Sequence, residues 1–223
     1  MLTLSLENVQ RVLCLGAHSD DIEIGCGGTL LKLIERNPGL KICWVVFNAE
    51  RTRYGEAEES AREYLAPLKK GYQLKINSFR ESYFPAKYEE IKDYFGRVAS
   101  DFYDECGGLP PDLIFTHTRE DRHQDHRVIS DLTWNAFRNN LVLEYEIPKY
   151  DGDLSTPNAY VSLPKEVATR KIELLLKHFK SQASSKHWFD EESFRALLRI
   201  RGLECASLSR YAEAFYARKL ALS

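Results

Sequence analysis

Apolar residues in this chain gather into short continuous runs, separated by longer stretches with helical spacing. The run Val12-Leu13-Cys14-Leu15, closed by Gly16, has the pattern of a strand buried on both faces of a parallel sheet. Residues 25–35 open on glycines and repeat apolar positions at Leu30, Leu31 and Ile34, which predicts the first crossover helix. Residues 41–47 (K-I-C-W-V-V-F) predict a second strand, 48–53 a polar loop and 56–68 a charged helix. A third strand is expected over 72–79, and its greater polarity places it nearer a sheet edge. In 88–106, Ile91, Tyr94, Phe95, Val98, Phe102 and Tyr103 make one stripe of a long amphipathic helix, expected to face the core. Gly107, Gly108 and Pro110-Pro111 end it, and 112–116 (D-L-I-F-T) predict another buried strand. Helical spacing returns from Asp125, 141–147 alternates like a strand, and 148–157 is a surface loop, the one candidate internal boundary. Residues 159–163 and helices over 165–179 and 191–199 complete the chain. Strands alternating with helices predict an α/β protein whose mainly parallel sheet is covered on both faces, in a single domain over 1–223.

Composition narrows the class. With 43% hydrophobic and 29% charged residues in 223, extended disorder is excluded. A formal net charge of -2 gives no electrostatic case for nucleic acid or an anionic membrane surface as partner. No apolar run approaches the roughly 18 residues of a membrane span. Cys14, Cys26, Cys43, Cys106 and Cys205 lack C-x-x-C spacing and read as buried thiols in a reducing compartment. With no charged-then-apolar leader, a cytoplasmic protein acting on a small molecule is expected, its oligomeric state open to a homo-oligomer.

Chemistry gathers directly after two of the buried strands. The first strand is followed by His18, Asp20 and Asp21, at the carboxyl edge where open α/β sheets place ligands. Adjacent carboxylates repel unless neutralised, and an imidazole two residues upstream of the pair suggests a divalent cation. His18 and Asp21 are then metal ligands, while Asp20 stays free to handle protons; the competing reading is that either Asp merely caps a helix beginning near Gly25. The strand over 112–116 leads into H-T-R-E-D-R-H-Q-D-H, residues 117–126. His123 and His126 lie about one turn apart at a helix start and can face one pocket.

Two imidazoles and a carboxylate with one open position form a common catalytic zinc set, supplied here by His18, Asp21 and one histidine of the second cluster. In H-x-D-H, one histidine would ligate while Asp125 holds the other ring off the metal. Such an ion brings the pKa of a coordinated water towards neutrality, Asp20 can relay its proton, and a protonated His123 can stabilise an oxyanion. Amide hydrolysis follows.

The residues A-H-S-D-D-I-E-I-G-C-G-G-T-L (17–30) with His123-Gln124-Asp125-His126 resemble the PIG-L/LmbE-like family of metal-dependent N-deacetylases. Arg53-Tyr54-Gly55-Glu56, Tyr145-Glu146-Ile147-Pro148 and Tyr211-Ala212-Glu213-Ala214-Phe215 resemble its R-x-G-E, Y-E-x-P and A-E-A-F segments. The resemblance implies a Rossmann-like three-layer fold and Zn2+ held by His18, Asp21 and His126, with Fe2+ or another divalent metal as substitutes. It further implies Asp20 as general base, His123 as oxyanion stabiliser oriented by Asp125, and Arg53 as a substrate contact. The implied substrate is an N-acetylated amino sugar, an N-acetylglucosamine-type conjugate that loses acetate. Ser19 and Gln124 stand where the family usually has proline, so the loop loses a fixed φ but no ligand.

Two other classes compete. One is a non-catalytic α/β module binding a sugar nucleotide through its glycines, although G-x-G-x-x-G fails at Leu30 and the acidic pair occupies the phosphate turn. The other is a metal-dependent phosphoester hydrolase, for which basic residues near the clusters are few. His117 is read either as a pocket residue or as a strand-end histidine bonded to backbone. Glu120 and Asp121 are read as loop acids, and Glu146 and Glu213 either as acceptors that orient pocket loops or as simple ion pairs.

Overall fold

In the computed structural model, which describes residues 4–221, strands and helices alternate from the first element. Strand β1 (Arg11–Gly16) leads into α1 (Asp21–Arg36), β2 (Lys41–Val46) into α2 (Thr52–Leu65), β3 (Tyr72–Ile76) into α3 (Tyr88–Glu105), and β4 (Leu113–His117) into α4 (Gln124–Ala136). After β5 (Leu141–Tyr145) come β6 (Ala159–Leu163), α5 (Lys165–His178), α6 (Lys180–Ser185), α7 (Glu191–Glu204) and β7 (Tyr211–Ala217). One seven-stranded sheet runs in the order β3-β2-β1-β4-β5-β7-β6. The strands β1 to β5 are parallel, and β7 runs antiparallel to both β5 and β6. No helix among the described residues is long and apolar enough to cross a membrane.

The apolar run of β1 feeds both faces because successive side chains alternate. Val12 and Cys14 join a cluster containing Leu30, Tyr64, Ala168 and Phe194, so α1, α2, α5 and α7 cover one face. Leu13 and Leu15 join Ile91, Phe95, Val128 and Ile129, so α3 and α4 cover the other. This is the three-layer α/β architecture that the sequence implies. Each of Val12, Leu13 and Leu15 is fully buried, which stabilises the fold by about 1.5–3 kcal/mol per side chain.

Several boundaries differ from the pattern. Helix α1 starts at Asp21, four residues before the glycines, and α2 starts at Thr52 within the expected polar loop. Pro67 turns the end of the expected 56–68 helix into a 3-10 turn at Ala66–Leu68, since its ring cannot follow an α-helical turn. Strand β3 is short and lies at the sheet edge, as its polarity suggests. Tyr103 is exposed rather than core, unlike Ile91, Phe95, Val98 and Phe102.

Strand β7 and helix α6 carry no clear periodic signal. In β7 a buried Glu213 interrupts the apolar pattern, and its partners explain it. The carboxylate accepts the N–H groups of Gly28 (2.7 Å) and Thr29 (2.6 Å) and the Thr29 hydroxyl (2.6 Å). Buried Lys171 donates to it at 2.6 Å and to the Ile24 carbonyl at 2.6 Å. One acid thus pins α1 to β7 and α5. The glycines of α1 serve the same packing: a Cβ at Gly25 would lie 2.2 Å from the Tyr145 ring, and one at Gly28 2.5 Å from Leu163. Side chains fill the space beside these glycines, which removes the basis for a phosphate cradle there.

Candidate active site

Because β1 pairs with β4 while the chain order reverses between them, the loops after both strands open into the crevice at the switch point of the sheet. The first loop carries His18 and Asp20, with Asp21 at the start of α1; the second carries Asp121 and His123, with Asp125 and His126 in the first turn of α4. The two clusters meet. His18 Nδ1 lies 3.0 Å from His126 Nε2, and Asp21 Oδ2 lies 3.5 Å from the first nitrogen and 3.6 Å from the second.

Those separations fit a shared ion. Ligand atoms of a tetrahedral site with bonds near 2.0–2.1 Å stand about 3.3 Å apart. Two overlapping trios also bring one donor atom each within 4.8 Å: His18, His123 and His126, and Asp21, His117 and His126. Hydrogen bonding separates these sets. His117 Nε2 accepts the Ala17 N–H at 3.0 Å and lies 3.2 Å from the Tyr145 hydroxyl, so its lone pair is engaged. His123 Nδ1 accepts the Asp125 N–H at 3.2 Å as the cap of α4. Among the described residues, no backbone N–H reaches the nitrogens of His18 and His126 that face each other.

Each ring is held from behind. His126 Nδ1 meets Asp121 Oδ2 at 2.9 Å, and Lys149 sits 3.0 Å from the same oxygen. Carboxylate contacts of this kind fix the ring orientation of metal-binding histidines. His18 Nε2 meets Asp125 Oδ2 at 3.1 Å. Asp125 is fully buried and also accepts the N–H groups of Ser82 (2.6 Å) and Phe84 (3.1 Å). The expectation that the Asp125 carboxylate orients His123 is therefore corrected: it holds His18 and the 82–84 loop, and reaches His123 only through its backbone N–H. A side chain in the first turn of α4 projects back over that loop, within reach of the His18 ring.

Burial and charge polarise the cluster. Burial alone would lower the His18 pKa, but hydrogen bonds to Asp125 and Asp21 carry it up to about 10. Burial, reinforced by His117, brings His126 down to about 3. Asp21 is held well below the ordinary carboxylate range by His126 and His117, despite its burial. Its neighbour moves the other way: burial and the Asp21 charge push Asp20 up to about 6. His123 is lowered by burial and by the His18 charge. Adjacent carboxyls pushed apart in this way are suited to different tasks.

Asp20 occupies the cap position of α1, yet its side chain caps no backbone N–H, and Asp21 instead accepts the His18 N–H at 2.6 Å. The helix-cap reading of the acidic pair is thus not what the fold uses. Asp20 lines a cleft of about 610 Å³, measured to its open mouth, together with His18, His123, His126 and Arg53. Arg53 reaches the cleft from α2 and pairs with Glu81 at 2.9 Å.

Asp121 and Lys149 were not legible as parts of the site. An acid two residues before His123, in the same loop, was the available signal for Asp121; nothing marked Lys149. The strand-end reading of His117 matches its backbone bond. The ion-pair reading of Glu213 holds through Lys171, but the N–H groups it accepts belong to helix α1 and not to a pocket loop, while Glu146 forms a buried two-pronged ion pair with Arg201 at 2.7 Å on each arm.

A family model described as PIG-L: GlcNAc-PI de-N-acetylase matches residues 13–137. An uncharacterized deacetylase, YaiS, of Escherichia coli strain K12 is 28% identical over 184 residues, covering 78% of this chain and 94% of that protein. Among solved structures, the N,N'-diacetylchitobiose deacetylase of Pyrococcus horikoshii superposes with a TM-score of 0.69 at 22% identity, over 94% of this chain and 84% of that one. The 4-carboxy-2-hydroxymuconate hydratase GalB of Pseudomonas putida KT2440 superposes with a TM-score of 0.67 at 15% identity, over 96% and 98% of the two chains. The same scaffold therefore carries more than one chemistry, and the side chains of the cleft must separate them.

Proposed function

We propose, from the premise that the chain belongs to the PIG-L family, that residues 1–223 form one deacetylase domain acting in the cytoplasm. Its reaction is metal-dependent removal of acetate from an N-acetylated amino sugar of N-acetylglucosamine type. The observation that carries this reading is the convergence of His18 Nδ1, His126 Nε2 and Asp21 Oδ2 within 3.6 Å of one another, with Asp20 free beside them.

His18, Asp21 and His126 would hold the ion, Zn2+ or Fe2+ by donor type. When bound, such a cation supplies Lewis acidity, drawing electron density from a water and from the acetyl carbonyl. Asp20, at the carboxyl edge of β1, accepts a proton as water oxygen bonds to the carbonyl carbon. The same proton then passes to the amide nitrogen as the C–N bond breaks, giving the free amine and acetic acid, which ionises to acetate by releasing the second water proton to solvent. His123 accepts an N–H at Nδ1, so its neutral form carries hydrogen on Nε2 and can donate to the oxyanion without being protonated. The Arg53–Glu81 pair lines the substrate side of the cleft.

Acetate release measured across a panel of N-acetylglucosamine glycosides tests this reading. Turnover of at least one member that chelation abolishes and added divalent metal restores is the expected outcome. Release of phosphate from phosphoesters, with no acetate from any glycoside, would overturn it.

A further inference from the structure

Three cations line the cleft, and two are already spoken for. Arg53 pairs with Glu81 at 2.9 Å, and Lys149 lies between Asp153 (2.6 Å) and Asp121 (3.0 Å). Lys186 is different: among the described residues, no carboxylate oxygen lies within 4.0 Å of its ammonium. It is half-buried on the wall formed by α6 and the segment entering α7, with Nζ 5.3 Å from the Trp188 ring centroid. Trp188 is itself braced by Phe189 and Phe194 at centroid distances of 5.7 and 6.4 Å.

Two further polar atoms of this wall lack partners among the described residues: Gln182 Oε1, on a side chain only 1% exposed, and Trp188 Nε1. Buried polar groups without partners are costly. The wall is nevertheless firmly anchored. Glu56 of α2 accepts the Ser181 N–H at 2.8 Å and the Ser181 hydroxyl at 2.5 Å, which fixes the helix that carries Gln182. A rigid wall that carries a cation without an acid partner beside the open cleft has the character of a ligand subsite. All of it lies beyond the residues 13–137 matched by the family model.

We propose that Lys186 is a specificity-determining residue, and that it takes an oxyanion, carboxylate or phosphate, carried by the group attached to the amino sugar. The inference rests on the deacetylase reading for the identity of the sugar. A cation in a partly desolvated cleft favours such a group through a charge-assisted hydrogen bond. Arg53 and Lys149 each pair with an acid, which leaves Lys186 as the cleft cation with no carboxylate oxygen within 4.0 Å among the described residues; its charge acts on the Asp20 carboxyl only from beyond that distance.

The test compares three probes: the methyl glycoside of N-acetylglucosamine, its glycolic acid glycoside, and N-acetylglucosamine 1-phosphate. Acetate release is followed for wild type, Lys186→Met and Lys186→Arg, each loaded with divalent metal. Wild type is expected to favour at least one anionic probe over the neutral one through KM. Lys186→Met should lower that anionic-to-neutral ratio about 10- to 100-fold, and Lys186→Arg should restore most of it. The two anionic arms separate a carboxylate from a phosphate preference. An unchanged ratio in Lys186→Met would overturn the proposal, as would an equal fall in kcat for all three probes, which would assign Lys186 to Asp20 instead. Calorimetric binding of the corresponding free amines needs no turnover. Charge-dependent binding that Lys186→Met abolishes, without acetate from any probe, retains the subsite and rejects the deacetylase. Acetate release with charge-independent binding does the reverse, and no binding of any amine rejects the subsite.

Discussion

His18 and His126, 108 positions apart in sequence, meet with Nδ1 and Nε2 3.0 Å apart. Two imidazoles so placed gain one hydrogen bond at most, yet each ring is also held by its own acid, His18 by Asp125 and His126 by Asp121. That double bracing orients both free nitrogens towards Asp21 Oδ2, an arrangement suited to chelation.

The bracing acid makes the first prediction. Asp121→Asn keeps the shape of the side chain but removes the charge behind His126, and is expected to weaken metal affinity about 10- to 100-fold. Competition against a chromophoric chelator measures it. Affinity equal to wild type would mean that His126 is not a ligand.

Breaking the Glu213 network is expected to destabilise the fold far from the chemistry. Glu213→Gln leaves the Lys171 ammonium buried beside a neutral amide, and loss of one partner of a buried pair costs about 3–5 kcal/mol. Urea unfolding followed by circular dichroism reads the change; a loss below about 1 kcal/mol would show that Lys171 finds another partner.

Gly25→Ala places a methyl 2.2 Å from a ring carbon of Tyr145, and Tyr145 in turn donates to the Leu15 carbonyl at 2.7 Å. Overpacking at such a contact costs about 1–3 kcal/mol. The same urea titration should show it, and a variant as stable as wild type would mean that α1 can shift away from β5 without loss.

A pH effect is expected where Glu63 of α2 meets α5. A hydrogen bond from Lys177, helped by His178 and Arg170, holds Glu63 at about 2, below its ordinary 4.5. A carboxyl depressed in the folded state stabilises fully above its unfolded value, and that contribution fades as pH falls through the folded one. Wild type should therefore exceed Glu63→Gln in urea midpoint at pH 7, and the gap should narrow as pH drops from 4.5 towards 2. A gap that widens on acidification would contradict the assignment.

How much of this was legible in sequence depends on the kind of signal each residue leaves. The strand runs at 12–15 and 112–116 and the helical stripe at Ile91, Phe95, Val98 and Phe102 follow from periodicity, which tertiary packing reinforces. His18, Asp21 and His126 stand out because two polar clusters follow two buried strands. Asp125 was legible as a site residue but not as the partner of His18, because the pairing depends on how the 82–84 loop folds over α4. Strand β7 was obscured because Glu213 is an acid inside a strand, tolerated only through partners contributed by α1 and α5. Lys149 and Lys186 lie in loops without periodicity, and their place in the cleft follows from tertiary structure alone.

Acetate release by metal-loaded Asp20→Asn, set against wild type of equal metal content, probes the proposed chemistry most directly. The amide keeps the volume of the carboxyl but accepts no proton, so turnover of a competent N-acetylglucosamine glycoside should fall about 10²- to 10⁴-fold with metal retained. A variant that turns over at the wild-type rate would contradict the account.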